Sequence, residues 1–498
     1  MRLTSKHGLW LALGFGALSV GLMACPAFPG DVCTDIPGVC GDGGNTGDGN
    51  NPGDAKNDVV IDAPPGCDLT KELKDSPACV DESVGVFVSP TGNDNNDGTK
   101  AKPVQTLTGA LTKLGGKPRI YVCEGAYTDS ATISVGVSVY GALKCDWTVG
   151  GAKPKITGSK PDYVVKVDNV SSAVMLTDVE LYGKDGTTNG GESSIALFVN
   201  ASTDVKLARV HLEAGIGSKG ADGTLSPLAF PDAGALTGQN ANAATGGVAT
   251  SVNCSGGGSS VGGKGGNANG FINGESGQPA LGGGDGGIGG NINGPCQMGI
   301  DGVSNKASDA GVGASSGSLM AAGWLPNNGT GGTPGQPGQG GGGGGGRDNG
   351  SQQGGGGGGG AGGCGGAAGG GGKGGGASIA LASLSSTIVM TNCTLATKAA
   401  GNGGNGVGGQ SGQAPGGLFG LPVAPGCTGG SGGAGGAGGA GGGGAGGVSV
   451  GVLYKGTKPT YGNDTMITPG SKGTGGTSPA GGPSNGSDGV AQPELQAL

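Results

Sequence analysis

Three widely separated segments of the chain repeat one pattern of apolar and polar positions: 174–181, 205–212 and 388–395. In each segment the first, third, sixth and eighth residues are apolar, and two small or polar residues separate the two apolar pairs. The second and third copies also follow similar apolar strands, which begin at Ser194 and Ser378. Alternation with a period of two indicates strands with one buried face, so each copy predicts two short strands joined by a corner.

One strand–corner–strand unit cannot cover its own apolar face, whereas stacked units bury their faces together. The repeat therefore predicts an all-β solenoid in which the three segments are neighbouring layers that run in the same direction. Three unrelated strands of a β-sandwich are the alternative, and the corner at a constant offset argues against it. A further apolar strand at 448–453 is expected to start another layer.

The segment 84–147 contains an ordered series of predicted elements. A strand with a polar turn, V-F-V-S-P-T-G-N-D from Val86 to Asp94, precedes apolar residues with helical spacing at 107, 110, 111 and 114. Two more strands follow, I-Y-V-C-E-G-A-Y from Ile120 and V-S-V-Y-G from Val137. This order resembles the opening of right-handed parallel β-helix proteins of the pectate-lyase-like superfamily, in its subgroup of domains of unknown function. The resemblance implies a right-handed parallel β-helix capped by a short helix, and it implies no particular activity.

Changes in composition divide the chain into alternating apolar and glycine-rich regions. Because the repeat resumes after the first glycine-rich block, we interpret that block as an insertion between rungs of the solenoid. The predicted organisation is a signal peptide (1–24), a flexible Gly/Asp/Pro tether (25–66), the N-terminal part of the β-helix (67–217), a Gly-rich insertion (218–377), one β-helix rung (378–397), a second insertion (398–447), final β-helix strands (448–470) and a Gly/Ser/Pro-rich tail (471–498).

Glycine accounts for 128 of the 498 residues, and two hypotheses stay open for the insertions. A disordered loop is the default, because Gly loses more backbone entropy on ordering than any other residue. The alternative is a bundle of extended helices with three residues per turn, like polyglycine II. In the stretch 429–440 such a helix places small side chains on one edge and leaves bare backbone on two, which lets neighbouring helices approach closely.

The N-terminus has the features of an export signal. Arg2 and Lys6 precede an apolar run over 9–23, which is shorter than the ~20 residues of a membrane-spanning helix. The run ends in Leu22-Met23-Ala24-Cys25, which resembles the lipobox of bacterial lipoproteins. The resemblance implies cleavage before Cys25 and lipidation of that residue, and Pro26 in place of Asp favours delivery to the outer membrane or cell surface. An ordinary secretory signal is the alternative.

Export permits disulfides, and the twelve cysteines suggest local pairs. The candidates are Cys33 with Cys40, Cys67 with Cys79, and Cys123 with Cys145. With Cys25 assigned to lipid, five cysteines remain, so one of them must stay free or pair between chains. No spacing of Cys and His typical of a zinc site is present.

The chain is acidic, with 27 basic and 35 acidic residues and a net charge of −8. An acidic chain without a basic stripe is unsuited to nucleic acid, so we expect no nucleic-acid partner. The expected partners are the membrane, through the lipid anchor, and surface polysaccharide or matrix.

Few residues suggest chemistry. Asp94 and Asp97 lie in a turn that superficially fits the start of a calcium-binding loop, and a plain Asx turn is the interpretation we favour. The outward positions of the repeat predict the pairs Asp178–Arg209 and Glu180–His211 across rungs, exposed and of small energetic value. Neither column has the paired carboxylates of glycoside hydrolysis. We therefore assign no catalytic residue, no metal ligand and no cofactor.

Three functional hypotheses follow. The first is a non-enzymatic cell-surface lipoprotein with a structural, adhesive or matrix-contact role. The second is a carbohydrate-binding module that uses a face of the solenoid. The third is a polysaccharide lyase or hydrolase with an atypical site on the face of Glu180 and His211.

Overall fold

A computed structural model describes residues 63–497, which belong to one compact unit. Four predicted features lie outside the described residues: the signal peptide, the lipidation site Cys25, residues 25–62 of the tether, and the pair Cys33–Cys40.

The part of the chain before the first large glycine-rich region forms strands with one helix. In chain order these are β1 (Gly85–Val88), α1 (Leu107–Thr112), β2 (Arg119–Cys123), β3 (Ala126–Asp129), β4 (Ala131–Ile133), β5 (Ser138–Leu143), β6 (Lys155–Gly158), β7 (Asp162–Asp168), β8 (Val174–Thr177), β9 (Glu180–Tyr182), β10 (Ser194–Asn200), β11 (Val205–Ala208) and β12 (His211–Glu213). A 3-10 turn, Pro77–Cys79, precedes β1.

The first glycine-rich region contains a short helix and three antiparallel hairpins: α2 (Ala233–Leu236), β13 (Ser251–Asn253) with β14 (Ser259–Val261), β15 (Ser318–Met320) with β16 (Gly323–Leu325), and β17 (Arg347–Asp348) with β18 (Gln353–Gly354). The rest of the chain adds β19 (Ser378–Leu384), β20 (Ile388–Thr391), β21 (Thr394–Ala396), β22 (Ser449–Lys455), β23 (Thr460–Tyr461), β24 (Met466–Thr468), a 3-10 turn (Gly482–Ser484) and β25 (Ala491–Gln496).

Three parallel sheets run side by side along the stack. Sheet A has the order β1-β2-β5-β8-β11-β20-β23, sheet B has β3-β6-β9-β12-β21-β24, and sheet C has β4-β7-β10-β19-β22-β25. Each turn of the chain contributes one strand to A, one to B and one to C, so the described residues form six complete rungs after β1. The architecture is the predicted parallel β-helix.

The three repeat segments are neighbouring rungs that run in the same direction, as predicted. Val205 pairs with Val174 on one side and with Ile388 on the other, and Leu212 pairs in the same way with Leu181 and Leu395. All twelve apolar repeat positions are buried in one core cluster: Val174, Leu176, Val179, Leu181, Val205, Leu207, Val210, Leu212, Ile388, Met390, Cys393 and Leu395.

The corner of the repeat has a defined backbone conformation. Asp178, Arg209 and Asn392 occupy the same corner position with φ of 55°, 55° and 54°. This left-handed conformation turns the chain from sheet A into sheet B within two residues, and Asp and Asn adopt it more readily than most residues. Arg209 adopts it at a higher cost.

Helix α1 packs on the first rungs, consistent with the capping role that the resemblance implied. The Thr106 hydroxyl accepts a hydrogen bond from the Gly109 N–H (2.8 Å) and caps the helix N-terminus. Leu107, Ala110 and Leu114 join the main core cluster.

Strands β10, β19 and β22 of sheet C are apolar on both faces. Their inner residues belong to the β-helix core, whereas Ile195, Phe198 and Ile379 form an outer cluster with Leu319 and Trp324 of the β15–β16 hairpin. Burial on both faces explains why these strands are continuous apolar runs rather than alternating ones.

The glycine-rich insertions are ordered, so the default expectation of a disordered loop is wrong. Their backbone hydrogen bonds recur at every third residue, which is the period of an extended helix with three residues per turn. A parallel example is the series of N–H groups of Gly360, Gly363, Gly366, Gly369 and Gly372, which donate in turn to the carbonyls of Gly430, Gly433, Gly436, Gly439 and Gly442 at 2.9–3.0 Å. We call the assembly of these segments the glycine bundle.

Close packing of bare backbone accounts for the glycine content. A Cβ added at Gly341 would lie 2.2 Å from the carbonyl oxygen of Gly430, and one at Gly359 would lie 1.9 Å from that of Gly341. The hydrogen bonds between segments offset the ordering entropy that made disorder the default expectation.

Each large glycine-rich segment leaves the β-helix at the same corner, between a sheet B strand and the following sheet C strand. The segments lie between β12 and β19, between β21 and β22, and between β24 and β25. The insertions of successive rungs therefore start as neighbours. Hydrogen bonds join these starts, since the N–H of Gly217 donates to Ala399 O (3.0 Å) and that of Ala400 donates to Ser471 O (2.9 Å).

The C-terminal region differs from the predicted tail. Residues 471–489 hydrogen-bond within the glycine bundle, and β25 is the last strand of sheet C, paired in parallel with β22. The sequence of β25 contains Pro493 and lacks regular alternation, and such a strand is tolerated at a sheet edge, where fewer ladder bonds are needed.

Two disulfides cross-link the glycine bundle, Cys254–Cys364 and Cys296–Cys427. The predicted pairs Cys67–Cys79 and Cys123–Cys145 are both present in the β-helix. Cys393 is free and buried in the core, which leaves it inaccessible for pairing between chains.

Candidate functional site

The outer face of sheet B has a strip of half-buried polar side chains across rungs 3 and 4. Leu181 and Leu212 are fully buried, so the residues before and after each of them face outward. We call Glu180, Tyr182, His211 and Glu213, which occupy these outward positions, the sheet B strip. The sequence singled out Glu180 and His211, and the same alternation would have identified Tyr182 and Glu213 two residues later.

The predicted pairing of Glu180 with His211 is wrong, although the two residues are in register. The Tyr182 hydroxyl donates to Glu180 Oε2 (2.9 Å), and His211 Nδ1 shares a hydrogen bond with Thr394 Oγ1 (2.7 Å). His211 Nε2 lies 3.6 Å from Glu213 Oε2, and the Tyr182 and His211 rings are 5.3 Å apart. Glu180 therefore bonds to Tyr182 of its own strand, and His211 bonds to Thr394 of the next rung, instead of to each other.

Lys398 follows β21, the sheet B strand of rung 5, and extends the sheet B strip at one edge. Its Nζ lies 3.5 Å from Glu213 Oε1 and 3.8 Å from Asp185 Oδ1. A cavity of about 440 Å³ opens beside it. The cavity is lined by Thr157, Tyr182, Lys184, Asp185, Thr187 and Lys398. The residues come from three rungs, so their meeting depends on the stacking and not on local sequence.

Tyr182 and Glu213 define the electrostatics of the strip. Burial, with the hydrogen bond and charge of Glu180, raises the pKa of Tyr182 to about 12, so its phenol stays protonated at neutral pH and donates. Glu213 is flanked by an ammonium and an imidazole. Such a set of paired donors and acceptors suits recognition of hydroxyl groups.

The predicted pair Asp178–Arg209 is present, and it is less exposed and more elaborate than predicted. Arg209 Nε and Nη2 bind the two carboxylate oxygens of Asp178, each at 2.8 Å, and Nη2 also lies 3.1 Å from Glu72 Oε2. Glu72 belongs to the segment that covers the outer face of sheet A. Burial opposes ionisation of Glu72, but the hydrogen bonds and charge of Arg209 hold its pKa below its ordinary value. The charged group joins this cover to the β-helix, which is a structural role.

In the turn that contains Asp94 and Asp97, the side chains of Asn93 and Asp94 accept hydrogen bonds from backbone N–H groups. Asp94 Oδ1 accepts hydrogen bonds from the N–H groups of Gln105 (2.8 Å) and Thr106 (2.9 Å), and Asn93 Oδ1 accepts one from Asn95 N–H (2.9 Å). The second contact is an Asx turn, the interpretation favoured from the sequence. The Asp94 carboxylate ties the turn to the residues before α1, which is a different role from binding calcium.

Residues 63–497 contain neither a candidate metal site nor a candidate membrane-spanning helix. No group of three or more His, Cys, Asp or Glu side chains in this range is placed to hold a metal ion. No helix in the same range is long and apolar enough to cross a membrane.

Comparison with known proteins gives one family match. The model of a family described as a protein of unknown function, DUF1565, matches residues 90–145, which cover the polar turn, α1 and the first two rungs as far as β5. No curated protein sequence matches the chain. Among solved structures, a rhamnogalacturonan lyase is similar at 17% identity, with a TM-score of 0.23, over 26% of this chain and 36% of that one. The chain spans about a third of that protein.

Proposed function

We propose that the protein is an exported, lipid-anchored surface protein with a structural or adhesive role and without catalytic activity. The observation that carries this proposal is the ordered glycine bundle, in which three-residue periodic hydrogen bonds join the insertions of successive rungs. An ordered assembly of bare backbone is a rigid body suited to spacing and contact, whereas a flexible linker needs no such network.

The disulfides of the bundle support the exported location. Cys254–Cys364 and Cys296–Cys427 join residues 110 and 131 positions apart, and long-range disulfides persist in oxidising compartments. Attachment to the outer membrane or cell surface through Cys25 completes the proposal, because several acyl chains hold a protein stably at a membrane.

The anchor is tested by Cys25→Ser in the producing bacterium, with Cys33→Ser as the matched control. We expect the wild type and Cys33→Ser to sediment with the membrane fraction and Cys25→Ser to lose acyl-chain labelling and membrane attachment. Retention of Cys25→Ser in the membrane fraction, with the same acyl-chain labelling as wild type, would contradict the lipid anchor.

The sheet B strip favours a second candidate, binding of carbohydrate. Its hydroxyl, imidazole, carboxylate and ammonium groups, together with the adjacent cavity, offer both donors and acceptors to a polyol. A screen of neutral and acidic polysaccharides for binding and for released reducing ends separates the hypotheses. Binding that His211→Ala weakens, without release, supports this candidate, whereas release lost in Glu180→Gln would establish an enzyme and overturn the proposal.

A further inference from the structure

The glycine bundle has an exposed apolar edge in the segment 414–426, whose thirteen residues are all apolar or glycine. Leu418, Phe419 and Leu421 project into solvent, with exposed fractions of 63%, 41% and 56%. We call these three residues the Leu418 edge. Single exposed apolar side chains are ordinary, whereas adjoining ones mark contacts with a protein or a membrane.

The backbone behind the Leu418 edge is fixed to the bundle. Gly417 and Gly420, one turn of the three-residue helix apart, are both buried, and their N–H groups donate to Ala361 O and Gly358 O (both 2.7 Å). With glycine on the inner row, the large side chains occupy the two outward rows. Because the bundle already holds this backbone in place, the edge can enter an apolar phase with little further loss of conformational entropy.

Neither the Leu418 edge nor the segments bonded to it contain a charged residue. The whole range 399–454, which includes the edge, has no Asp, Glu, Lys, Arg or His. The segments that hydrogen-bond to 417–423 are also uncharged, namely 236–241, 355–361 and 429–432. Insertion of the edge into an apolar phase therefore removes no ionised group of these segments from water, which would be the largest cost of that step.

Ile300, elsewhere in the bundle, provides a contrast. It is as exposed as Leu421, at 56%. However, Asp301 follows it in the chain, and its N–H donates to the backbone carbonyl of Asp285 (2.9 Å). Two carboxylates thus adjoin the apolar surface at Ile300, and none adjoins the Leu418 edge along its own segment.

The size of the exposed surface separates the possible occupants. The three side chains together offer roughly 300 Å² of apolar surface, whereas a stable protein interface buries about 800 Å² on each partner. The edge by itself is therefore too small for a stable dimer. A bilayer has no such minimum, because binding strengthens with whatever apolar area enters it and needs no complementary shape.

We propose that the Leu418 edge inserts reversibly into the interface of a lipid bilayer with uncharged or zwitterionic headgroups. The two leucines and the phenylalanine enter the boundary between headgroups and acyl chains, and the uncharged bundle behind them stays in water. This contact is separate from the acyl anchor proposed at Cys25 and does not depend on it.

The test uses the chain 25–498 with Cys25→Ser, which has neither the predicted signal peptide nor acyl chains, so its outcome is independent of the anchor. Binding to phosphatidylcholine vesicles is measured by flotation. Leu418→Ser and Leu421→Ser each remove part of the edge. Ile300→Ser is the matched control, because it removes an equally exposed apolar side chain beside carboxylates. Phe419→Trp places a fluorescent reporter on the edge.

We expect the parent protein and Ile300→Ser to float with the vesicles, in low and in high salt alike, since no charge pairing is involved. Each leucine variant should bind about tenfold more weakly, the loss expected for one buried leucine. The emission of Phe419→Trp should shift to shorter wavelength when vesicles are added. Circular dichroism identifies a variant that fails to fold, and the other leucine variant then decides.

Three results would overturn the proposal. The parent protein could stay in the vesicle-free fraction, both folded leucine variants could float as the parent does, or high salt could release the protein from the vesicles. A dimer that forms without vesicles and dissociates in Leu421→Ser, together with no flotation, would assign the edge to a second copy of the chain instead.

Discussion

The β-helix and the glycine bundle reach order by opposite means. In the β-helix, aliphatic side chains fill the interior, and strands pair with the two-residue alternation that keeps one face inside. In the bundle, backbone hydrogen-bonds to backbone with a three-residue period, and most of the closely packed positions are glycines. The same chain thus contains one region stabilised by buried side chains and another stabilised mainly by backbone hydrogen bonds between closely packed glycines.

The difference has a direct consequence for mutation. Substitutions that remove buried side-chain atoms should destabilise the β-helix, whereas substitutions that add a side chain at a closely packed glycine should destabilise the glycine bundle. The free energy of unfolding of matched variants, followed by urea titration, measures both effects on one protein.

The largest effect is expected for Leu212→Ala, because Leu212 is fully buried between Leu181 and Leu395 of the adjacent rungs. The lost contacts and the cavity should lower the free energy of unfolding by about 3 kcal/mol. The control is Leu418→Ala in the bundle, where the side chain is 63% exposed, and its effect should stay within about 0.5 kcal/mol. Equal losses at both sites would contradict the expectation that burial of the side chain sets its contribution to stability.

A smaller effect of the reverse kind is expected for two neighbouring glycines of the bundle. A Cβ at Gly409 would lie 2.1 Å from the carbonyl oxygen of Gly438, whereas one at Gly408 would meet nothing within 4 Å. Gly409→Ala should cost about 1–3 kcal/mol through overpacking, and Gly408→Ala should be neutral or stabilise by up to about 1 kcal/mol. Hydrogen exchange at Gly438 and Gly441 should accelerate only in the first variant. Unchanged exchange in Gly409→Ala would argue against close helix packing.

The smallest effect concerns pH, which should separate the two regions again. Since the pKa of Glu72 is lowered on folding from an ordinary value of 4.5, its contribution to stability is complete above that pH and is lost as the pH falls through the lowered value. The half-exposed pair contributes less than about 1 kcal/mol. Amides of residues 67–79 should lose protection in acid, and Glu72→Gln should remove this dependence. The internal control is a set of bundle amides that bond to uncharged carbonyls and should not respond, those of Gly360, Gly363, Gly366, Gly369 and Gly372.

The accuracy of the sequence predictions differs between the same two regions. Val205 and Leu212 could be placed inside the stack because alternation is a local property that reads directly as inside or outside. Asp178–Arg209 followed from the register of the repeat, but Glu72, 137 residues away, had no local signal. The sequence placed Glu180 and His211 on the correct face of the sheet. It did not identify their partners, because several acceptors compete for each side chain at a surface.

Sequence alone determined that the chain contains a parallel β-helix, where its first and middle rungs lie, which residues face inward, and that Cys67 pairs with Cys79 and Cys123 with Cys145. Tertiary structure decided that the glycine-rich insertions are ordered, that they leave from one corner, that β25 closes sheet C and that the β15–β16 hairpin packs on the outer face of sheet C. The physical reason is that the spacing of aliphatic residues along a strand shows which positions are buried. Glycine has no side chain to show this, so its neighbours are set by hydrogen bonds between segments far apart in the chain.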